Sequence, residues 1–68
     1  MNEKEMLTYE ELSKFLNRRV ATLRHDVMTN RIPYIKLGEG KTAQVRFRRS
    51  DIEKWLETKV VQAKVRTI

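Results

Sequence analysis

Apolar residues recur at spacings of three and four from Leu12 through Phe15 and Leu16, the signature of one helical face. Thr8-Tyr9-Glu10-Glu11 just ahead of them fits a capping box, in which the Thr8 hydroxyl accepts from the Glu11 backbone N–H and the Glu11 carboxylate accepts from that of Thr8. A helix is therefore predicted to begin there, with Leu7 as the staple residue ahead of the cap. Asn17 interrupts it, either as a turn residue or as the cap of the next helix. That second helix is predicted over residues 18 to 29, because Val20, Leu23 and Val27 fall within about 60° of one another on a wheel of about 100° per residue. Arg18, Thr22, His25 and Thr29 then project from the opposite side with Ala21 beside them, and Arg24 lies at the edge of the buried stripe. Asn30 tolerates the left-handed conformation and is the predicted stop; Pro33 prevents the helix from resuming.

Two short segments of period two follow, Pro33/Ile35/Leu37 alternating with Tyr34/Lys36 and Val45/Phe47 alternating with Gln44/Arg46/Arg48. They are predicted to pair as a hairpin turned by Gly38-Glu39-Gly40-Lys41, with Thr42 and Ala43 in an open tip. Ser50-Asp51-Ile52-Glu53 reads as a second capping box, and Ile52, Trp55, Leu56 and Val60 continue as an amphipathic third helix. Beyond Glu57 the β-branched Val60, Val61, Val65 and Thr67 are poor helix formers, so residues 58 to 68 are predicted to be a frayed helix or a disordered tail. The outcome is an α+β domain over residues 1 to 57: a winged helix-turn-helix with two N-terminal helices, a two-stranded β-hairpin wing and a C-terminal helix.

At 68 residues the chain is one domain near the lower limit for a self-sufficient hydrophobic core, with little room for a catalytic cleft and its supporting shell. It has no cysteine and a single histidine, His25, so no metal site, catalytic residue or cofactor is expected. No apolar stretch approaches the roughly 18 to 20 residues needed to cross a bilayer, and the acidic start Met1-Asn2-Glu3-Lys4-Glu5 has no apolar signal region. A cytoplasmic protein with no membrane partner is expected. The net charge of +6 is unevenly spread: residues 1 to 11 carry −3, residues 12 to 49 carry +8, and residues 50 to 68 carry +1. Cations concentrated in the middle of a small domain point to a polyanionic partner more than to solubility alone.

Within that middle, Arg46 and Arg48 share one face of their strand and Lys41 lies near the tip, so Lys41, Thr42, Arg46 and Arg48 are candidates for contact with sugar-phosphate or a narrow minor groove. The competing reading is a solvated outer face of a one-sided sheet. On the second helix, Arg18, Arg19, Thr22, Arg24 and His25 are candidates for a major groove. Arg can bridge guanine O6 and N7 and a Thr methyl can touch thymine, while Arg24 at the core edge is suited to phosphate. An ordinary exposed helix face is the alternative there. Trp55 and Phe47 read as core, and Tyr34 alternates outward, where it could stack or simply sit on the surface. Double-stranded DNA is the expected partner. Single-stranded or structured RNA is disfavoured by the scarcity of exposed aromatics other than Tyr34, and a protein-interaction adaptor with an acidic partner is the reading from another class.

With these residues in view, the chain resembles the excisionase family of small winged-helix DNA-binding proteins, whose fold is shared by the DNA-binding domains of MerR regulators and by AlpA-type prophage activators. The likeness spans about residues 6 to 57. It rests on Leu7-Thr8-Tyr9-Glu10-Glu11-Leu12, Phe15-Leu16-Asn17, Thr22-Leu23-Arg24, Arg31-Ile32-Pro33-Tyr34-Ile35-Lys36-Leu37-Gly38 and Val45-Arg46-Phe47-Arg48-Arg49-Ser50-Asp51-Ile52-Glu53-Lys54-Trp55-Leu56. The resemblance implies that the helix bearing Thr22-Leu23-Arg24 lies in the major groove, that Arg24 contacts backbone, and that the wing with Arg46 engages the flanking minor groove. It also implies a non-enzymatic monomer, several copies of which bind repeated sites and bend DNA to direct a tyrosine integrase toward excision of a mobile element. AlpA-like relatives instead regulate transcription, which makes RNA polymerase the other implied partner. Arg18-Arg19 stands where the family usually has a hydrophobic residue followed by Ser or Thr, and Asn30 where glycine is common. Which of Arg18, Arg19 and Thr22 faces a groove therefore depends on the register of the turn between Asn17 and Val20.

Overall fold

The computed structural model describes residues 5–40 and 43–61. In chain order it comprises β1 (Met6–Leu7), α1 (Tyr9–Leu16), α2 (Val20–Met28), β2 (Ile35–Leu37), β3 (Gln44–Arg48) and α3 (Arg49–Glu57). This is the expected α+β winged helix-turn-helix with one strand more. The hairpin partners β2 and β3 are joined by β1 into an antiparallel sheet of order β1-β3-β2, so β3 is its middle strand.

α1 starts where its capping box requires: Glu11 N–H donates to Thr8 Oγ1 at 3.1 Å and Thr8 N–H donates to Glu11 Oε1 at 2.9 Å. It ends at Asn17, whose φ of 55° and ψ of 50° are left-handed. The Arg18 N–H then reaches back to the Ser13 carbonyl at 2.9 Å, and the Ser13 hydroxyl donates to the Arg18 carbonyl, so the turn into α2 is closed from both sides. The same device ends α2. Asn30 takes a φ of 57° and the Arg31 N–H donates to the Asp26 carbonyl at 2.8 Å. Asparagine serves at both sites because its short polar side chain lowers the cost of the left-handed region.

Several boundaries and faces differ from the pattern-based expectation. α2 begins at Val20 with Arg19 as its cap, two residues later than predicted, because Asn17 and Arg18 are used up in closing α1. Ser50 does not cap α3. The strand runs straight into the helix, which starts at Arg49, and the Arg49 N–H is taken by the Glu5 carbonyl at 2.6 Å while the Ser50 hydroxyl donates to the Glu5 carboxylate at 2.8 Å. Phe15 is not core but exposed, with the Arg49 guanidinium 4.7 Å from its ring centre, and Val60 lies past the end of α3 in solvent. The predicted tail is described only as far as residue 61, where Lys59 and Val60 still make turn hydrogen bonds to Leu56 and Glu57; residues 62–68 lie outside the described residues.

Among the described residues the hydrophobic core consists of Leu7, Leu12, Leu23, Phe47 and Ile52, one each from β1, α1, α2, β3 and α3, with Ile32 from the segment between α2 and β2. Leu7 stands directly opposite Phe47, and Lys36 opposite Val45, on the inner side of the sheet. The register puts Ile35 opposite Arg46 and Leu37 opposite Gln44, so these apolar residues belong to the outer face. Gly38 (φ 113°) and Gly40 (φ 87°) supply the positive backbone angles at the hairpin tip.

Phe47 is wholly buried, and the edge of the Tyr9 ring meets it at 5.3 Å and 76°. Truncating a buried Phe to Ala costs about 3 to 5 kcal/mol, comparable to the whole stability expected of a domain this small at about 0.05 to 0.15 kcal/mol per residue. Phe47→Ala is therefore expected to abolish cooperative thermal unfolding followed by circular dichroism. Phe47→Leu should keep it at a lowered midpoint.

Candidate nucleic-acid interface

The orientation of α2 about its own axis decides which side chains it can offer. Leu23 is fully buried, and beside it on the inward side is Asp26, only 8% exposed. A carboxylate at that depth requires a partner, and the Arg18 guanidinium supplies one at 3.3 Å. Burying Asp26 turns the helix relative to a purely apolar reading of Val20, Leu23 and Val27. The outward stripe becomes Ala21, Arg24, His25 and Met28, while Thr22 is half-buried. Thr22 therefore leaves the centre of the predicted reading face, and Ala21 and Met28 join it; Met28 is 77% exposed.

At one flank of that stripe, Arg24 borders a groove of about 510 Å³ lined by Thr8, Tyr9 and Glu10 of the α1 entry and by Ala43, Gln44, Val45 and Arg46 of the hairpin. Arg24 is not a freely swinging cation. Its guanidinium carbon lies 4.8 Å from the centre of the Tyr9 ring, and that ring is braced edge-on by Phe47. Across the groove Arg46 is half-buried; one terminal nitrogen donates to the Val45 carbonyl at 2.9 Å and the other to Gln44 Oε1 at 3.4 Å. Two cations held by the fold thus border one concave surface between helix and hairpin. Tyr34 stands exposed nearby, its hydroxyl donating to Asn30 Oδ1 at 3.2 Å.

The other predicted site residues are placed elsewhere. Arg18 sits with Asp26 in a second pocket with Arg31, Trp55 and Lys59, away from Arg24, because the turn that closes α1 spends its backbone and the buried carboxylate claims its side chain. Arg19 is exposed at the start of α2 and borders a third depression with Ser13, Lys14 and Asn17. Arg48, on the same strand face as Arg46, turns to the start of α3, where it lies 3.7 Å from Asp51. His25 is exposed on the α2 stripe. Lys41 and Thr42 lie outside the described residues. Trp55 packs against the core and donates its indole N–H to the Arg31 carbonyl at 3.0 Å.

Tyr9 is the groove residue that pattern reading passes over. Its signal is its spacing of three and seven ahead of Leu12 and Leu16, which puts it on the inner stripe of α1. Among the described residues no helix is long and apolar enough to cross a membrane, and no three His, Cys, Asp or Glu side chains gather as a metal-binding group.

A family model described as a helix-turn-helix domain matches residues 6–60. Neither a curated protein nor a solved structure matches the chain.

Burial pushes the Tyr9 phenol above its ordinary value of 10.0, an effect that the Arg24 cation only partly offsets. The folded chain then holds a proton that the unfolded chain releases above about pH 10, so folding stability should fall as pH rises through that value. Tyr9→Phe should flatten this decline in alkaline denaturation curves, and an equal decline in both proteins would show that Tyr9 is not its source.

Proposed function

The chain belongs to the helix-turn-helix domain family, and from that premise we propose that it binds double-stranded DNA with α2 in the major groove and the β2–β3 hairpin over the adjoining minor groove. The observation that carries this reading is the shared groove bordered by Arg24 and Arg46, in which helix and wing offer held cations on one side of the molecule. An α-helix is about 10 to 12 Å across with its side chains, which matches a major groove about 12 Å wide. The stripe Ala21, His25 and Met28 then meets base edges: His25 by hydrogen bonding, Ala21 and Met28 by apolar contact with thymine methyls. Arg24 and Arg46 meet phosphate, joined by Lys41 at the wing tip and Arg19 at the start of the helix.

The protein works without catalysis of its own, as a monomer placed in several copies on repeated sites. Its role is that of an excisionase-like architectural factor, which presents DNA to a tyrosine integrase for removal of a mobile element. The resemblance in Arg31-Ile32-Pro33-Tyr34-Ile35-Lys36-Leu37-Gly38 and in the wing-to-α3 segment supports this role. Footprinting on the DNA flanking its own gene separates the roles. Protected direct repeats at an element end support excision, whereas one protected site at a promoter would replace it with transcriptional regulation through RNA polymerase.

With these four cations on phosphate, log affinity should fall against log salt with a slope of roughly −3 to −4. Arg24→Ala and Arg46→Ala should each weaken binding to footprinted and random duplexes alike and make the slope shallower by about one. His25→Ala should instead narrow the gap between footprinted and random duplex by about 1 to 3 kcal/mol, read by fluorescence anisotropy. Identical losses on both duplexes for all three variants would refute the division between reading and anchoring residues.

A further inference from the structure

The second pocket, on the opposite flank of α2, has the makings of a site in its own right. Arg24 and Asp26 are two residues apart, so at about 100° per residue they leave the helix roughly 200° apart, with Ala21, His25 and Met28 between them. Arg24 borders the groove shared with the wing; Asp26 borders a pocket of about 440 Å³ lined by Arg18, Arg31, Trp55 and Lys59. Three cations drawn from three parts of the chain face one space there, against a single carboxylate that is buried and already 3.3 Å from Arg18. Pairing with Asp26 does not exhaust Arg18, since a guanidinium carries five N–H donors.

The pocket is also built rather than incidental. The Trp55 indole N–H donates to the Arg31 carbonyl at 3.0 Å, which ties α3 to the segment leaving α2. The Lys59 ammonium lies 5.4 Å from the Trp55 ring centre, and the backbone N–H of Lys59 donates to the Leu56 carbonyl at 2.9 Å. The indole thus fixes the spacing between Arg31 and Lys59.

We infer that this pocket binds the sugar-phosphate backbone of the DNA strand across the major groove from the one met by Arg24 and the wing. The inference rests on the proposed mode of DNA binding and extends it. A helix that fills the major groove has one backbone along each flank, and a phosphodiester is the ligand suited to several Arg and Lys donors converging on a pocket. The domain then grips both edges of the groove, with α2 between two cationic flanks.

The test uses the full chain and a labelled duplex carrying the footprinted site. Arg31→Ala and Lys59→Ala should each reduce affinity on the order of tenfold at about 0.1 M salt, and the double variant should make the salt slope shallower by about two. Lys54→Ala, on α3 but outside the pocket, should leave affinity and slope unchanged. Circular dichroism establishes that each variant is folded, and Arg31→Lys with Lys59→Arg, which keeps both charges, should retain the slope. Neutral methylphosphonate linkages scanned along each strand should weaken the unaltered protein at positions on the far strand and leave the double variant unaffected there. A double variant with unchanged slope, while Arg24→Ala loses affinity, would overturn the second contact and leave the wing-side reading intact. Absence of any salt-dependent duplex binding by the unaltered protein would overturn the reading on which the inference rests.

Discussion

Phe47 is wholly buried in the strand that pairs on one side with β1 and on the other with β2, and the Tyr9 ring meets it edge-on at 5.3 Å. That packing connects the helix-turn-helix to the wing. Through Tyr9 it reaches the Arg24 guanidinium at 4.8 Å. Through the strand itself it fixes Arg46 one residue before and Arg48 one residue after, and α3 begins immediately beyond. The groove between helix and wing is thus lined by Tyr9, which rests on this buried ring, and by the strand residues that precede it.

A second constraint acts on α2 from the other side. Asp26 holds both ends of its helix: its carboxylate pairs with Arg18 ahead of the first turn, and its carbonyl accepts the Arg31 N–H after the last. An unpaired carboxylate so deeply placed would cost several kcal/mol, so the ion pair and the helix rotation come together. The rotation decides that Ala21, His25 and Met28, rather than Thr22, occupy the middle of the outward face. Electrostatics inside the fold thereby selects which residues can meet a base.

The legible parts of this fold were those written in local chemistry. Thr8 and Glu11 specify a helix start within four residues, and Asn30 followed by Pro33 specifies a stop, so α1 and the end of α2 could be read directly. The strands that pair with each other alternate and are separated by glycines, which made the hairpin visible. β1 was not, because two residues carry no period and their pairing with Phe47 and Arg48 spans some forty positions of chain. Ser50 looked like a cap because its own neighbourhood has the right residues, but Glu5 claimed both its hydroxyl and the preceding N–H from far away in sequence. Arg18 misled for the same reason. A cation at the start of a basic helix reads as a groove contact until a buried acid eight residues on is known to need it. Of the site, Arg24 and Arg46 could be anticipated from charge and alternation, whereas Tyr9, Ala21 and Met28 required the packing.

What the outward face of α2 lacks bears on how such a domain discriminates among DNA sequences. Ala21 and Met28 offer only apolar contact and His25 a single pair of ring nitrogens, so the helix has few groups able to bridge two atoms of one base. The cations, by contrast, are numerous, and Arg24 and Arg46 are held before any partner arrives, which lowers the side-chain entropy lost on contact. On the proposed reading, one copy therefore binds firmly through phosphate and selects weakly through bases. Weak selection by each copy becomes strong selection when several must fit neighbouring sites at once, because the preferences multiply while each site retains its own modest code. A small cationic domain with a sparse reading face is thus best matched to repeated sites, and the arrangement of those repeats carries information that the helix alone does not.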